Sequence, residues 1–220
     1  MIRADPMLTM TTRRAVLGRA TLLLGAAGGL LLASRLPAAA QAQGSQADIA
    51  FVRSVAGQIT SILNAPGSLA DKRAKILPLI DQNVDVNGIG RFCLGRYWRQ
   101  ATPEQQQQFL DLFHHVLLNS ITDRLGEYKG VKVTVGTATP HGPDESAVSS
   151  IISRPGQPPT NVDWVIHDVN GQPKVADMIG EGVSLSITQR GDYSSYLQRN
   201  GNSIDRLLAA MRRQLSARAS

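Results

Sequence analysis

TPEQQQQFLDLFHHVLLNSITDRL, residues 102–125, is the strongest helix signal in the chain, and the prediction of the fold is built around it. Thr102 supplies an N-cap, Pro103 takes the first helical position, and Gln105 follows three residues after the cap. The apolar residues behind them recur at helical spacing for about five turns: Phe109, Leu112, Phe113, Val116, Leu117, Ile121 and Leu125. A stripe of this length must bury a broad face, so a second layer of structure has to cover it. We expect this stripe to face the valine-rich strands that follow in the chain.

The period of the apolar pattern changes from helical spacing to alternation after Gly130. The segments that predict strands are 131–135, 145–153, 162–166 and 174–179, with a further strand or extended piece at 183–187. Turn residues separate them, and Asn170-Gly171 is a strong hairpin signal. Successive strands with short turns indicate an antiparallel meander of four or five strands.

Helical patterns lie on both sides of the strands. The segments before residue 102 predict three short helices: one opened by a capping box at 45–48, one opened by Ser68 to Asp71 and kinked or ended at Pro78, and one over 86–97. Two more helices are predicted at 192–199 and 204–215. Because short helices are unstable alone, they must pack on something else. The predicted fold class is α+β, with helices packed on one face of a twisted four- to five-stranded antiparallel sheet.

Residues 1–42 carry the features of a secretory signal peptide. Four arginines precede an uncharged apolar run at 20–34, and small residues at 38–42 offer A-x-A cleavage patterns. The apolar run is shorter than the ~20 residues of a membrane-spanning helix. Thr12-Arg13-Arg14 resembles a twin-arginine signal, so the twin-arginine and the general secretory routes both stay open. We expect cleavage to leave residues 43–220 as a single domain.

The net charge of the chain changes when the predicted signal is removed. The full chain holds 23 Lys+Arg and 17 Asp+Glu; residues 1–42 account for five and one of these, which leaves 18 and 16, a net charge of only +2. The mature part has no clustered basic stripe, so we expect no nucleic-acid partner. Cys93 is the single cysteine, which excludes an internal disulfide and leaves none beside the signal for a lipid anchor. For an exported chain these features indicate a soluble periplasmic protein.

Sequence motifs for catalysis, metal binding or cofactor binding are absent. No G-x-S-x-G, Walker or complete G-x-G-x-x-G motif occurs. Asp163, Asp168 and Asp177 lie around a hairpin and could form a carboxylate cluster, while Cys93 could be a nucleophile only beside a positioned base. The histidines include no pair at the i, i+4 spacing of a helical zinc site: His114, His115, His141 and His167. We therefore predict no catalytic residues, no metal and no cofactor.

Two segments of the chain carry motifs that are specific enough to indicate a family. Residues 89–105 read IGRFCLGRYWRQATPEQ and continue through Phe109 and Phe113, and residues 181–185 read EGVSL, with Arg190 and Tyr193 following. The first is similar to the R-F-x-L-G-x-x-W-R-x-A-T-P-E-Q…F…F segment of the MlaC family, and the second to its E-G-V-S-L…Y-R…F segment. The chain thus resembles the periplasmic toluene-tolerance auxiliary proteins of phospholipid ABC transport systems.

The resemblance implies a lipid carrier. Members of the family hold the acyl chains of a phospholipid in an apolar pocket between the helices and the sheet. They exchange it with an outer-membrane lipoprotein complex and an inner-membrane ABC transport complex. Pro173 and Ala176 stand where the family usually has aromatic residues, and Thr188-Gln189-Arg190 is similar to its hopanoid-associated branch. A hopanoid-type lipid is therefore an alternative cargo, and an enzyme on a cone-like α+β fold or an adaptor without cargo are the rival functions.

The candidate lipid-binding residues are apolar positions that we expect to face the pocket. They lie on the long helix, on the strands and in the second family segment: Leu112, Val116, Leu117, Ile121, Val133, Val135, Ile151, Trp164, Ile166, Val183 and Leu185. Arg96, Arg99 and Arg190 are candidates for contact with a phosphate or with a partner's acidic groups. Tyr97 and Trp98 are candidates for a gate at the mouth of the pocket, with ordinary packing as the alternative.

Overall fold

The computed structural model describes residues 38–217, with their side chains from Ser45 onward. The predicted signal peptide lies outside this part, except for residues 38–42, which belong to the first helix. Its cleavage and its export route therefore stay predictions. Among residues 38–217, no helix is long and apolar enough to cross a bilayer.

Residues 38–217 form six α-helices and two short 3-10 helices. The α-helices are α1 Ala38–Asn64, α2 Leu69–Asn83, α3 Val86–Leu94, α4 Pro103–Thr122, α5 Leu185–Arg199 and α6 Ile204–Ser216. The 3-10 helices Gly95–Gln100 and Leu125–Tyr128 follow α3 and α4, respectively. Each helix predicted from the sequence is present, although several boundaries differ.

The starts of two predicted helices are confirmed by their capping contacts. Thr102 and Gln105 form a capping box at the start of α4, in which the Gln105 amide donates to the Thr102 hydroxyl at 3.2 Å. Ser68 and Asp71 form the equivalent box at the start of α2. This helix contains Pro78 and continues beyond it, so the proline does not end it.

Two other helix starts differ from the prediction. Helix α1 begins at Ala38, so Ser45 lies inside the helix instead of at its N-cap, and Asp48 accepts a hydrogen bond from the Ser146 hydroxyl at 2.6 Å. Helix α5 begins at Leu185 instead of near residue 192. The Ser184 hydroxyl accepts a hydrogen bond from the Ile187 amide at 3.0 Å, and this cap starts a helix where the sequence pattern predicts an extended piece.

The strands form one five-stranded antiparallel sheet with neighbours in chain order, which confirms the predicted meander. The strands are β1 Lys132–Pro140, β2 Glu145–Ser153, β3 Thr160–Val169, β4 Gln172–Gly180 and β5 Val183–Ser184. Asn170 and Gly171 join β3 to β4 with φ of 55° and 80°, as a two-residue turn with two positive φ angles requires. Irregularities interrupt the β1–β2 register between Val135 and Ala138 and the β3–β4 register between Val165 and Ile166.

Two apolar clusters hold these elements together. The first, the sheet core, joins α1 to one face of the sheet and consists of Ile49, Val52, Val55, Ala56, Val148, Val162, Trp164, Ile166 and Val175. The second, the helical core, lies mainly among α2 to α6 and is centred on Phe109, Phe113, Tyr193, Leu197 and Leu208. Helices on an antiparallel sheet define an α+β protein, so the predicted fold class is confirmed.

The helix that covers the sheet is α1, whereas the sequence pattern predicts that the apolar stripe of α4 faces it. Helix α4 instead packs against α2, α3 and α6. It buries Phe109, Leu110, Phe113, Val116 and Leu118, which lie on more than one side of the helix. A helix that is apolar on several sides buries most of its apolar surface when several neighbours surround it, as they do around α4. Helix α1 has a narrower apolar stripe, which one face of the sheet can cover.

Candidate functional site

The candidate site is the line along which the sheet core and the helical core meet, which we call the seam. It is formed by the four side chains that pack against both cores: Ile59, Val84, Val133 and Ile152. Each of these side chains is only partly buried. Val133 and Ile152 are partners in the β1–β2 register and therefore project to the same face of the sheet. The seam is thus an apolar junction whose four side chains stay partly exposed.

One wall of the seam is the junction between α2 and α3, which is attached to β4. Val84 forms a parallel bridge with Val175, and the Asp85 amide donates to the Val175 carbonyl at 3.0 Å. The Lys174 ammonium donates to the Gln82 carbonyl. These contacts fix Val84 at the border of the two cores. The segment that joins α2 to α3 therefore forms this wall of the seam.

Two aspartates at and just after the end of α2 each lie close to a histidine. His114 Nε2 lies 2.6 Å from Asp81 Oδ1 at the end of α2. His167 Nε2 lies 3.1 Å from Asp85 Oδ2, an ion-pair distance, although the atoms are not aligned as a hydrogen bond requires. Asp85 also caps α3, since its Oδ1 accepts a hydrogen bond from the Gly88 amide at 2.9 Å.

Seven of the eleven predicted lining residues lie in or against the two cores on either side of the seam. Val116 is buried in the helical core, and Leu112 and Leu117 pack against it. Trp164 and Ile166 are buried in the sheet core, and Val133 and Val135 pack against it from β1. The indole of Trp164 donates to the Ser150 hydroxyl at 2.9 Å, which fixes the ring in place. Three of these residues therefore belong to the helical core and four to the sheet core, and of the seven only Val133 packs against both.

The other four predicted lining residues point to solvent, which corrects the expectation that they face inward. Their exposed fractions are 39% for Ile121, 45% for Ile151, 57% for Val183 and 58% for Leu185. Ile151 follows the strand alternation and lies on the face opposite Ile152. Ile121 lies beside the buried Thr122 on the outer side of α4. Val183 and Leu185 lie on the short last strand and at the start of α5.

The sequence pattern misses three seam residues, Ile59, Val84 and Ile152. Ile152 lies on the same face of β2 as Val148 and Ser150, which are both buried. Two adjacent isoleucines occupy this end of β2, however, and the alternation alone cannot tell which one is inward. Val84 lies between two helices, where a periodic pattern gives no signal.

The predicted arginines lie near aromatic rings on α3, on the 3-10 helix after it and on α5. The Arg190 guanidinium carbon lies 4.8 Å from the centre of the Phe92 ring, and that of Arg96 lies 4.9 Å from the Tyr97 ring. Arg99 is exposed at the end of the 3-10 helix. Tyr97 is buried and its hydroxyl donates to Asn202 Oδ1 at 2.8 Å, so it packs in the core instead of gating a mouth.

The groups that an enzymatic alternative requires have structural partners. Asp177 accepts hydrogen bonds from the Ser186 and Met178 amides, and Asp168 accepts one from the Gly171 amide. Burial raises the pKa of the Cys93 thiol to about 12, and the Asp177 carboxylate adds to the rise. Among residues 38–217, no three His, Cys, Asp or Glu side chains are grouped to hold a metal ion. Asp168, Asp177 and the Cys93 thiol therefore have structural roles in the fold.

The described residues thus form an α+β domain in which partly buried apolar side chains join two apolar cores. The sequence profile of the family described as "MlaC protein" matches residues 53–213. The chain therefore belongs to the MlaC family. This membership confirms the resemblance seen in the sequence and the prediction that the chain is not an enzyme.

Two similar proteins support this assignment. The toluene tolerance protein ttg2D of Pseudomonas putida is 27% identical over 144 residues, which is 65% of this chain and 66% of that protein. The structure of a phospholipid-binding protein from Ralstonia solanacearum, in complex with a phospholipid, superposes with a TM-score of 0.68 at 22% identity. The superposition covers 78% of this chain and 98% of the other, so the two proteins share the fold.

Proposed function

We propose that the protein is a periplasmic carrier that holds a phospholipid with its acyl chains in the seam. In this proposal it moves the lipid between an outer-membrane lipoprotein complex and an inner-membrane ABC transport complex. Family membership supports the carrier function, and the phospholipid complex of the Ralstonia solanacearum protein supports the kind of cargo. The single observation that carries the proposal is the seam, where four apolar side chains touch both cores and stay partly buried.

The acyl chains lie, in this proposal, between the side chains that the two cores present to each other. Leu112 and Leu117 contribute from the helical core, and Val133 and Val135 contribute from β1. Each core has its own fully buried centre, Phe109 in one and Val148 in the other. The seam can therefore widen around a lipid without exposing either centre. Each methylene group that leaves water stabilises the complex by ~0.8 kcal/mol.

The charged head group stays outside, because a buried charge without a partner is strongly unfavourable. Arg96, Arg99 and Arg190 are exposed and are proposed to meet its phosphate or the acidic groups of a partner. The direction of transport depends on which partner loads the carrier and which one unloads it.

The proposal is tested by substituting adjacent residues of β2 that face opposite sides of the sheet. Ile152→Trp places a large ring in the seam, so we expect at least a tenfold loss of lipid that co-purifies with the mature protein. Ile151→Trp adds the same ring on the other face, so its lipid content should equal that of the wild type. Native mass spectrometry measures the fraction of lipid-bound protein and the mass of the lipid.

Circular dichroism shows whether both variants are folded before their lipid contents are compared. An empty wild-type protein would contradict the carrier function, and equal lipid loss in both variants would contradict the seam as the site. The mass of the bound molecule also separates a phospholipid from a hopanoid-type lipid, which stays the alternative cargo.

A further inference from the structure

Three exposed apolar side chains lie within five residues where the last strand leads into α5, and a fourth lies on the neighbouring helix α3. Val183, Leu185 and Ile187 are 57%, 58% and 62% exposed, and Phe92 on the neighbouring helix α3 is 41% exposed. Helices α3 and α5 pack against each other, and Arg190, one turn after Ile187, lies over the Phe92 ring. We call these four residues the apolar tip. A group of exposed apolar side chains of this kind marks an interaction surface more often than a chance exposure.

Arginines lie on the elements that carry the apolar tip, whereas the acidic residues next to it are Glu181 and Asp192 in the chain and Asp177, which is hydrogen-bonded to Ser184 and Ser186. Residues 86–100 contain Arg91, Arg96 and Arg99 and no acidic residue. Within the part of the chain that the structure describes, none of these three, nor Arg190, lies within 4.0 Å of an acidic side chain. The face made by α3, the 3-10 helix after it and the start of α5 is therefore basic.

Aromatic rings hold three of these guanidinium groups in place. Arg190 lies over Phe92, Arg96 over Tyr97 and Arg91 over Trp98, with 4.8, 4.9 and 5.5 Å between the guanidinium carbon and the ring centre. The Arg190 group also lies against Gly95, where a β-carbon would come within 3.0 Å of its Nε. Stacking uses the flat face of a guanidinium and leaves its edge N–H groups for an anion.

We propose that the apolar tip and its arginines are a docking surface for a bilayer that contains anionic phospholipid. The aliphatic side chains enter the boundary between head groups and acyl chains, and the arginines meet the lipid phosphates. The exposed aliphatic groups match the apolar interior of such a bilayer. The stacked guanidinium groups, which have no ion-pair partner among the described residues, match its anionic surface. The inference goes beyond the proposed function and holds whether or not the seam carries a lipid.

The surface differs in place from the seam. Val133 and Ile152 of the seam lie on β1 and β2, whereas Val183 lies on β5 at the opposite edge of the same sheet. The aliphatic side chains of the apolar tip can therefore be substituted without changing the seam, whereas Arg190 is also a proposed contact of the head group.

Vesicle flotation with the purified mature protein tests this surface. We expect the wild type to bind vesicles of phosphatidylethanolamine and phosphatidylglycerol at low ionic strength and to bind neutral phosphatidylcholine vesicles at least tenfold less. The double variant Leu185→Ser/Ile187→Ser should lose at least tenfold in bound fraction on the anionic vesicles. The variant Arg91→Gln/Arg190→Gln should lose a similar factor and the salt dependence with it.

The matched control is Ile121→Ser/Ile151→Ser, which removes two exposed isoleucines far from the arginines and should bind like the wild type. No flotation of the wild type, or equal flotation of all variants, would overturn the proposal. If the variants of this surface lost binding to a purified transport complex while the wild type did not bind vesicles, a protein partner would use this surface. That result would also overturn the proposal. Native mass spectrometry of the same samples reports the lipid in the seam, so a failure of the proposed function is recognised independently.

Discussion

Cys93 shows how burial changes the chemistry of a single side chain in this protein. Its thiol is 1% exposed and lies 3.6 Å from the Ser186 carbonyl oxygen. Burial raises its pKa from 9.0 to about 12, and the Asp177 carboxylate adds to the rise while Arg190 opposes it. Burial also raises the pKa of the neighbouring Tyr193 phenol. Both groups are therefore kept neutral in the native state at pH values where the unfolded chain ionises them.

The Cys93 thiol predicts a loss of stability in alkaline solution. Since the unfolded thiol ionises from about pH 9 and the native thiol only near pH 12, unfolding releases a proton between these values. The free energy of unfolding should therefore fall with rising pH, by up to about 1.4 kcal/mol per pH unit for this group. Urea denaturation of the wild type and of Cys93→Ala at pH 8 to 11 measures the slopes. Equal slopes in the two proteins would contradict the prediction.

The junction of α2 and α3 shows how one short element joins two cores. Asp85 caps α3 with its side chain, and its backbone amide is bonded to β4. Its carboxylate also lies near His167 on β3. The junction thus attaches the start of a helix to the sheet at the border of the seam.

We expect Asp85→Ala to lower the free energy of unfolding by about 0.5–2 kcal/mol, the range for loss of an N-cap side chain. Asp85→Asn keeps a capping oxygen and removes the charge, so its difference from the wild type reports the contact with His167, and the difference between the two variants reports the cap. Urea denaturation measures both. Full stability of Asp85→Ala would show that the cap contributes nothing to the fold.

The sequence predicts an element well when a local signal specifies it. The capping box of Thr102 and the Asn170-Gly171 turn both act over a few residues, and the structure confirms both of them. Which helix covers the sheet depends on contacts between distant segments, and the apolar stripes of α1 and α4 both fit a sheet. The inward face of β2 was ambiguous because Ile151 and Ile152 are adjacent and point to opposite sides.

At the scale of the whole molecule, the two cores explain how a carrier could hold its cargo firmly and still release it. Two acyl chains of ~16 carbons would gain on the order of 25 kcal/mol gross from burial. This exceeds the ~18–21 kcal/mol at which non-covalent affinity saturates, so ordering of the chains and opening of the seam must offset part of it. The remaining affinity still makes spontaneous release into water very slow.

We predict that unloading requires a docked partner that separates the two cores. Lipid-loaded protein diluted into detergent-free buffer should keep its lipid for hours, as measured by native mass spectrometry at successive times. Addition of the purified membrane partner complexes should shorten this time at least tenfold. Rapid loss of lipid from the isolated protein would contradict the requirement for a partner.

The irregularity in β1 has a consequence for the behaviour of the protein at high concentration. β1 is the long free edge of the sheet, and a long, flat edge strand is a template on which a second chain can add a strand and start aggregation. Lys132 and Pro140 stand at its two ends, and its pairing with β2 shifts between Val135 and Ala138. The charge, the proline and the local twist make this edge a poor template, which protects the protein from edge-to-edge aggregation.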